Sequence, residues 1–132
     1  MRLTHTSTYA VHALAHLAAA GEKRLVLSYD IARARGIPER FILKVLRPLV
    51  SSQLVRSLKG PHGGYRLTRP AARITLMEVV EAVEGPLRGE APVVSQARDG
   101  LDARLQEVCE EVAGLVRRRL GRARLADLAG GR

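Results

Sequence analysis

Arg40 and Lys44 stand four residues apart in ERFILKVLRPLV, one helical turn, and Arg47 follows a turn later. Guanidinium and ammonium groups only donate hydrogen bonds, so this pattern suits the O6 and N7 of guanine or the oxygens of phosphate. A second basic group lies in Lys59-Gly60-Pro61-His62-Gly63-Gly64. There Lys59 and His62 flank glycines that allow close backbone approach to sugar and phosphate. Ser28, followed by Tyr29, offers a hydroxyl at a helix start, where free amides attract anions. All of this is the chemistry of holding a polyanion. Bond-breaking chemistry has no anchor: no Ser–His–Asp set, paired-carboxylate cleft, phosphate-cradling loop or H-E-x-x-H helix is present. No enzyme is expected.

Two further sets of residues carry possible chemistry. His12 and His16 have the spacing that can hold a metal ion between two imidazoles. A third ligand would have to come from His5, a glutamate or another subunit, and a polar helix face explains the pair without metal. Cys109, the single cysteine, excludes an intramolecular disulfide and an all-cysteine metal site within one chain. It falls on the apolar face of a long helix, where packing is its expected role. Redox sensing is the alternative if two copies meet at a dimer axis.

Charge placement supports the polyanion reading. Of the net +9, residues 22–69 carry +8, from 11 Lys and Arg against 3 Asp and Glu, whereas residues 70–132 balance at 10 against 10. A general bias toward arginine would have made the last 63 residues basic as well. With three Tyr, one Phe and no Trp, a base-stacking platform for single strands is not expected. No apolar run approaches the roughly 20 residues of a membrane span. His12 and His16 interrupt AVHALAHLAAAG, which argues against a secretory signal. A cytoplasmic protein without a membrane partner is expected.

Recognition residues need a scaffold, and 132 residues suffice for one small domain with a helical extension. The pattern predicts a first helix from about Thr6 to Ala20 that stops at Gly21, with Tyr9, Ala10, Ala13, Leu14 and Leu17 on one face. A short second helix, Tyr29 to Arg35, has Ser28 as its expected cap. After Gly36 a third helix begins at Pro38, with Phe41, Ile42, Val45, Leu46 and Leu49 inward. Two helices joined by so tight a turn make a helix-turn-helix. LVRSL and YRLTR alternate as strands about the turn KGPHGG, forming a hairpin wing. Thr75 and Glu78 form a capping box for a fourth helix that closes at Gly85-Pro86. A loop over 87–100 leads to a long helix with Leu101, Leu105, Val108, Cys109, Val112, Leu115, Val116 and Leu120 on one face. A second copy is its simplest partner. The run Arg117-Arg118-Arg119 reads as solvated, with phosphate contact or salt bridges to Glu107, Glu110 and Glu111 as alternatives.

The segments RLTHTSTYAVHAL, LSYDIARARGIPERFILKVLRPLV, LVRSLKGPHGGYRL and ITLMEVVEAVEG resemble the Rrf-two family of bacterial winged-helix regulators, which includes IscR and NsrR. The likeness is dense over residues 2–86 and looser through LADL at 125–128. It implies a homodimer on a palindromic operator, most often a repressor, with long helices crossing at the interface. It also implies double-stranded DNA contacts from Glu39, Arg40 and Lys44 and from the wing at Lys59 and Gly60. Cluster-binding members place three cysteines after the EGP-type segment. Here GPLRGEAPVVSQARDGLDARLQEV has none, so neither an iron–sulfur cluster nor another cofactor is expected. Gln53 stands where the family usually has glycine, and Pro48 removes an amide near the end of the third helix.

The reading is thus a mainly α fold with a small β-hairpin wing, a winged helix-turn-helix domain plus a long C-terminal dimerisation helix. Residues 1–86 would bind DNA, 87–100 form a loop at the family's sensor position, and 101–132 supply the dimerisation helix and tail. Loop 87–100 and the groove beside the long helix are where a small-molecule or protein effector would act. An architectural DNA-binding protein without base readout, or a protein–protein adaptor that kept the fold, are the alternatives.

Overall fold

The structure is a computed structural model describing residues 1–94 and 96–130. Ser95 of the expected loop, and Gly131 and Arg132 of the expected tail, lie outside the described residues. The order is α1 (His5–Ala20), α2 (Ser28–Arg35), α3 (Glu39–Ser51), β1 (Val55–Leu58), β2 (Gly64–Leu67), a 3-10 turn (Ala71–Arg73), α4 (Leu76–Glu84), α5 (Leu101–Arg122) and α6 (Leu125–Ala129).

Helix α1 is the hub, touching α2, α3, α4, α6 and β2. Its inward face is Ala10, Ala13, Leu14 and Leu17, as the pattern predicts, and the two alanines let neighbouring backbones approach. Thr4 caps the helix by accepting from the Ser7 amide. Both Thr4 and the fully buried Ser7 donate their hydroxyls to the Glu84 carboxylate at the end of α4. That satisfies the one buried polar residue of the core among the described residues.

Helix α2 departs from expectation at its start. Leu27, not Ser28, is the cap residue, and no side chain caps the helix. Val26 is held extended by a two-bond bridge to Tyr65, and the Leu27 carbonyl then receives the amides of Asp30 and Ile31. The helix therefore begins one residue early. Pro38 likewise caps α3 instead of opening it. The helix-turn-helix itself stands: Gly36 closes α2 in the left-handed conformation, and α3 buries Ile42, Val45, Leu46 and Leu49.

The wing pairs antiparallel, Val55 with Leu67, Arg56 with Arg66, Ser57 with Tyr65 and Leu58 with Gly64. Val55 and Leu67 face the core, which sends Arg56 and Arg66 outward together. The strands end at Leu67, short of the expected Thr68 and Arg69. Thr68 donates its hydroxyl to the Gln53 carbonyl, and Arg69 turns away to pair with Glu78. Helix α4 has the full capping box of Thr75 and Glu78.

The long helix α5 is the largest correction. It rests on α4 through Val116 and Leu120, which join Met77 and Val80 in a second apolar cluster. The residues grouped on one apolar face therefore divide. Leu101, Leu105, Val108, Val112 and Leu115 are exposed, while Cys109 is half-buried and Leu120 is buried. A 22-residue helix with only Ala113 and Leu120 buried presents most of its surface outward. The tail does not stand apart either. A backbone bridge joins Thr75 to Arg124, and Leu125 of α6, 2% exposed, enters the same core as α1.

Candidate nucleic-acid interface

The outer face of α3 carries Glu39, Arg40, Lys44 and Arg47, all exposed. Burying the Ile42, Val45, Leu46 and Leu49 stripe forces those four residues outward. The Arg40 guanidinium lies over the Phe41 ring at 4.8 Å, a cation–π contact that orients it. At the start of α2, Ser28 is half-buried and Tyr29 exposed. Arg33, one turn later, stands 5.8 Å from the Tyr29 ring.

At the wing tip Lys59, Gly60 and His62 are exposed. The Gly63 amide donates to the Gly60 carbonyl at 3.0 Å and closes the turn. No hydrogen bond or ion pair joins the α3 cations to those of the wing tip among the described residues. They are separate projections from one core.

The structure adds cations that were not among the sequence candidates. Arg56 and Arg66 are directly paired across the hairpin, and with Lys23 and Arg69 they line a cleft of about 280 Å³ whose one acid is Glu22. Like charges set opposite one another repel, a cost an anion between them removes. Strand alternation turns Arg56 away from the side of Val55 and Arg66 away from the side of Leu67. Pairing register, which would have placed them together, needs the turn geometry.

Among the described residues the one ion pair is Arg69 with Glu78. Arg40, Lys44, Arg47, Arg56, Lys59 and Arg66 thus have no acidic partner there. All but the half-buried Arg66 are exposed, the arrangement a polyanion needs. His12 is exposed and His16 half-buried, and no group of three His, Cys, Asp or Glu able to hold a metal ion occurs among the described residues. No described helix is long and apolar enough to cross a membrane.

The first half of the 87–100 loop lies along α5. Gln106 accepts from the Ala91 amide at 2.9 Å and donates to the Gly89 carbonyl at 2.7 Å, and Arg117 donates to the Leu87 carbonyl. Gly89 lies so near the Cys109 carbonyl that a Cβ would collide with it. This packing occupies the side of α5 that carries Cys109.

A helix-turn-helix-type transcriptional regulator of Mycobacterium tuberculosis is 35% identical over 138 residues, covering 99% of this chain and 83% of the relative. CymR, the global cysteine regulator of B. subtilis, superposes with a TM-score of 0.78 at 22% identity, over 98% of this chain and 97% of its own. IscR of T. potens superposes with a TM-score of 0.76 at 24% identity, over 98% of this chain and 87% of its own. Those two attest the winged-helix fold. The Rrf2 family profile, described as an iron-dependent transcriptional regulator, matches residues 3–131. The donors present do not fit a cysteine-ligated cluster, because the sole cysteine, Cys109, is half-buried beside the loop. In fold and along nearly its whole length, the chain belongs to the Rrf2 family of DNA-binding helix-turn-helix transcriptional regulators.

Proposed function

We propose that this regulator is a sequence-specific repressor that acts as a homodimer on a palindromic operator in the cytoplasm, and that it has no enzymatic activity. Residues 1–86 form its DNA-binding unit, with α3 entering the major groove. There Arg40 and Lys44 donate to guanine, and Glu39 accepts from cytosine N4. Arg47, Ser28 and Tyr29 hold phosphate beside the groove, and Lys59, Gly60 and His62 do so from the wing. Two copies join through α5, and the signal is something other than an iron–sulfur cluster.

The observation that carries this reading is the set of exposed cations on α3 and the wing, none with an acidic partner among the described residues. Charge alone would give binding without sequence preference. A helix-turn-helix that presents Glu39 beside Arg40 and Lys44 adds groups of both polarities, which base readout requires.

Selection of duplexes from a random pool at physiological salt tests it, with Arg40→Ala/Lys44→Ala in parallel. The expected result is a palindromic motif that the variant no longer enriches. Salt-sensitive retention without a motif would replace this reading with architectural binding, and no retention would replace it with the adaptor.

A further inference from the structure

Resting on that reading, we propose that the cleft between α1 and α3 binds a small organic monocarboxylate with a planar apolar body, and that its occupancy withdraws Lys44 from DNA. The cleft holds about 250 Å³ and is lined by His5, Thr6, Tyr9, Phe41, Lys44 and Val45. Val45, 1% exposed, is its floor, and the half-buried Tyr9 and Phe41 are its apolar walls. The His5 ring stands 6.2 Å from the Tyr9 ring. Aliphatic residues dominate the core, and two of the four aromatic residues of the chain meet at this one small cleft.

Polar groups select the ligand. Lys44 has no acidic partner among the described residues, and no acid lines the cleft. One ammonium beside an apolar floor and two aromatic walls matches one carboxylate on a flat hydrocarbon body, with the Thr6 hydroxyl and the His5 imidazole as the other polar groups of the lining. Small-molecule sites combine apolar walls with a few convergent polar groups, and a cleft of about 250 Å³ suits a ligand of roughly ten non-hydrogen atoms.

Regulation follows from the position of Lys44. The ammonium that would donate to a guanine is the one that would hold the carboxylate. Ligand and DNA therefore compete for it, and each weakens the other by the same factor.

Calorimetry on the DNA-free protein tests the site, with phenylacetate as the probe and phenylacetamide as its neutral counterpart. Phenylacetate is expected to bind once per chain and the amide at least about tenfold more weakly. Lys44→Met should abolish that difference. Thr6→Phe, which fills the cleft from α1, should block both compounds while duplex binding and thermal unfolding stay unchanged. Saturating phenylacetate should weaken duplex binding about tenfold in the unaltered protein and not in Thr6→Phe. No phenylacetate binding at about 10 mM, or binding that Thr6→Phe leaves intact, would overturn the proposal. The calorimetry contains no DNA, so a protein that fails to bind duplexes refutes the functional reading separately.

Discussion

Gln53 is the one non-glycine described residue with positive φ, at 62°. It occupies the turn by which α3 reverses into the wing, where the Leu54 amide reaches back to the Leu49 carbonyl. A side chain in that conformation costs on the order of 1 kcal/mol or more. Replacing Gln53 with glycine removes that strain, which outweighs the opposing gain in unfolded-chain entropy. Gln53→Gly should raise stability by about 0.5–1 kcal/mol, read as a higher Tm, with DNA affinity unchanged. A lower Tm would show that the Gln53 side chain contributes more than its backbone costs. Gly64 gives the opposite case. Its φ is 147°, and a Cβ there would lie 2.9 Å from the Val26 carbonyl oxygen. Gly64→Ala should therefore break the bridge that ties Val26 to Tyr65 and cost about 2–4 kcal/mol in chemical denaturation. A fall below about 0.5 kcal/mol would mean that the bridge shifts without loss.

Element by element, what the sequence disclosed depended on how local the cause was. The capping box of Thr75 and Glu78 and the α3 stripe are set within one or two turns of chain, so both could be read directly. The start of α2 could not, because Leu27 becomes the cap only when Val26 pairs with Tyr65, far along the chain. The 3-10 turn and α6 leave no sequence pattern for a similar reason. Leu125 is ordered by burial against α1, and five residues are too few for periodicity to declare a helix. The same logic separates two kinds of basic residue. Arg40 and Lys44 lie on a helix that fits the major groove, so Arg40→Ala should cost about 1–3 kcal/mol at one operator position and relax the preference there. Arg56 and Arg66 stand side by side on the hairpin, off the recognition helix, and phosphate oxygens are their expected partners. Replacing either with alanine should weaken binding to all duplexes alike and reduce the salt slope by about one unit. A motif change in the strand variants, or an unchanged slope, would contradict that division.

At the scale of the whole molecule, the unanswered surface is the outward side of α5. Leu101, Leu105, Val108, Val112 and Leu115 follow one another by four, three, four and three residues, and all are exposed. Alternating steps of that kind are the 3.5-residue repeat of a coiled-coil seam. The sequence pattern showed one broad apolar face, and only the docking of α5 on α4 reveals that Val116 and Leu120 serve the chain itself. The two halves of that face therefore have separable consequences. Val108, 54% exposed at the middle of the seam, belongs to neither apolar cluster of the chain. Val108→Glu should leave helix content and the fold unchanged, yet sediment as a monomer and lose about 10²–10⁴ in operator affinity as the second half-site becomes independent. Leu120→Ala removes a buried side chain packed against Met77 and Val80 and should cost about 2–5 kcal/mol of stability. If Val108→Glu remains dimeric, the seam is not where two copies meet. If it becomes monomeric and still binds a full palindrome with undiminished affinity, the two half-sites are read without linkage, and the operator geometry proposed above fails with it.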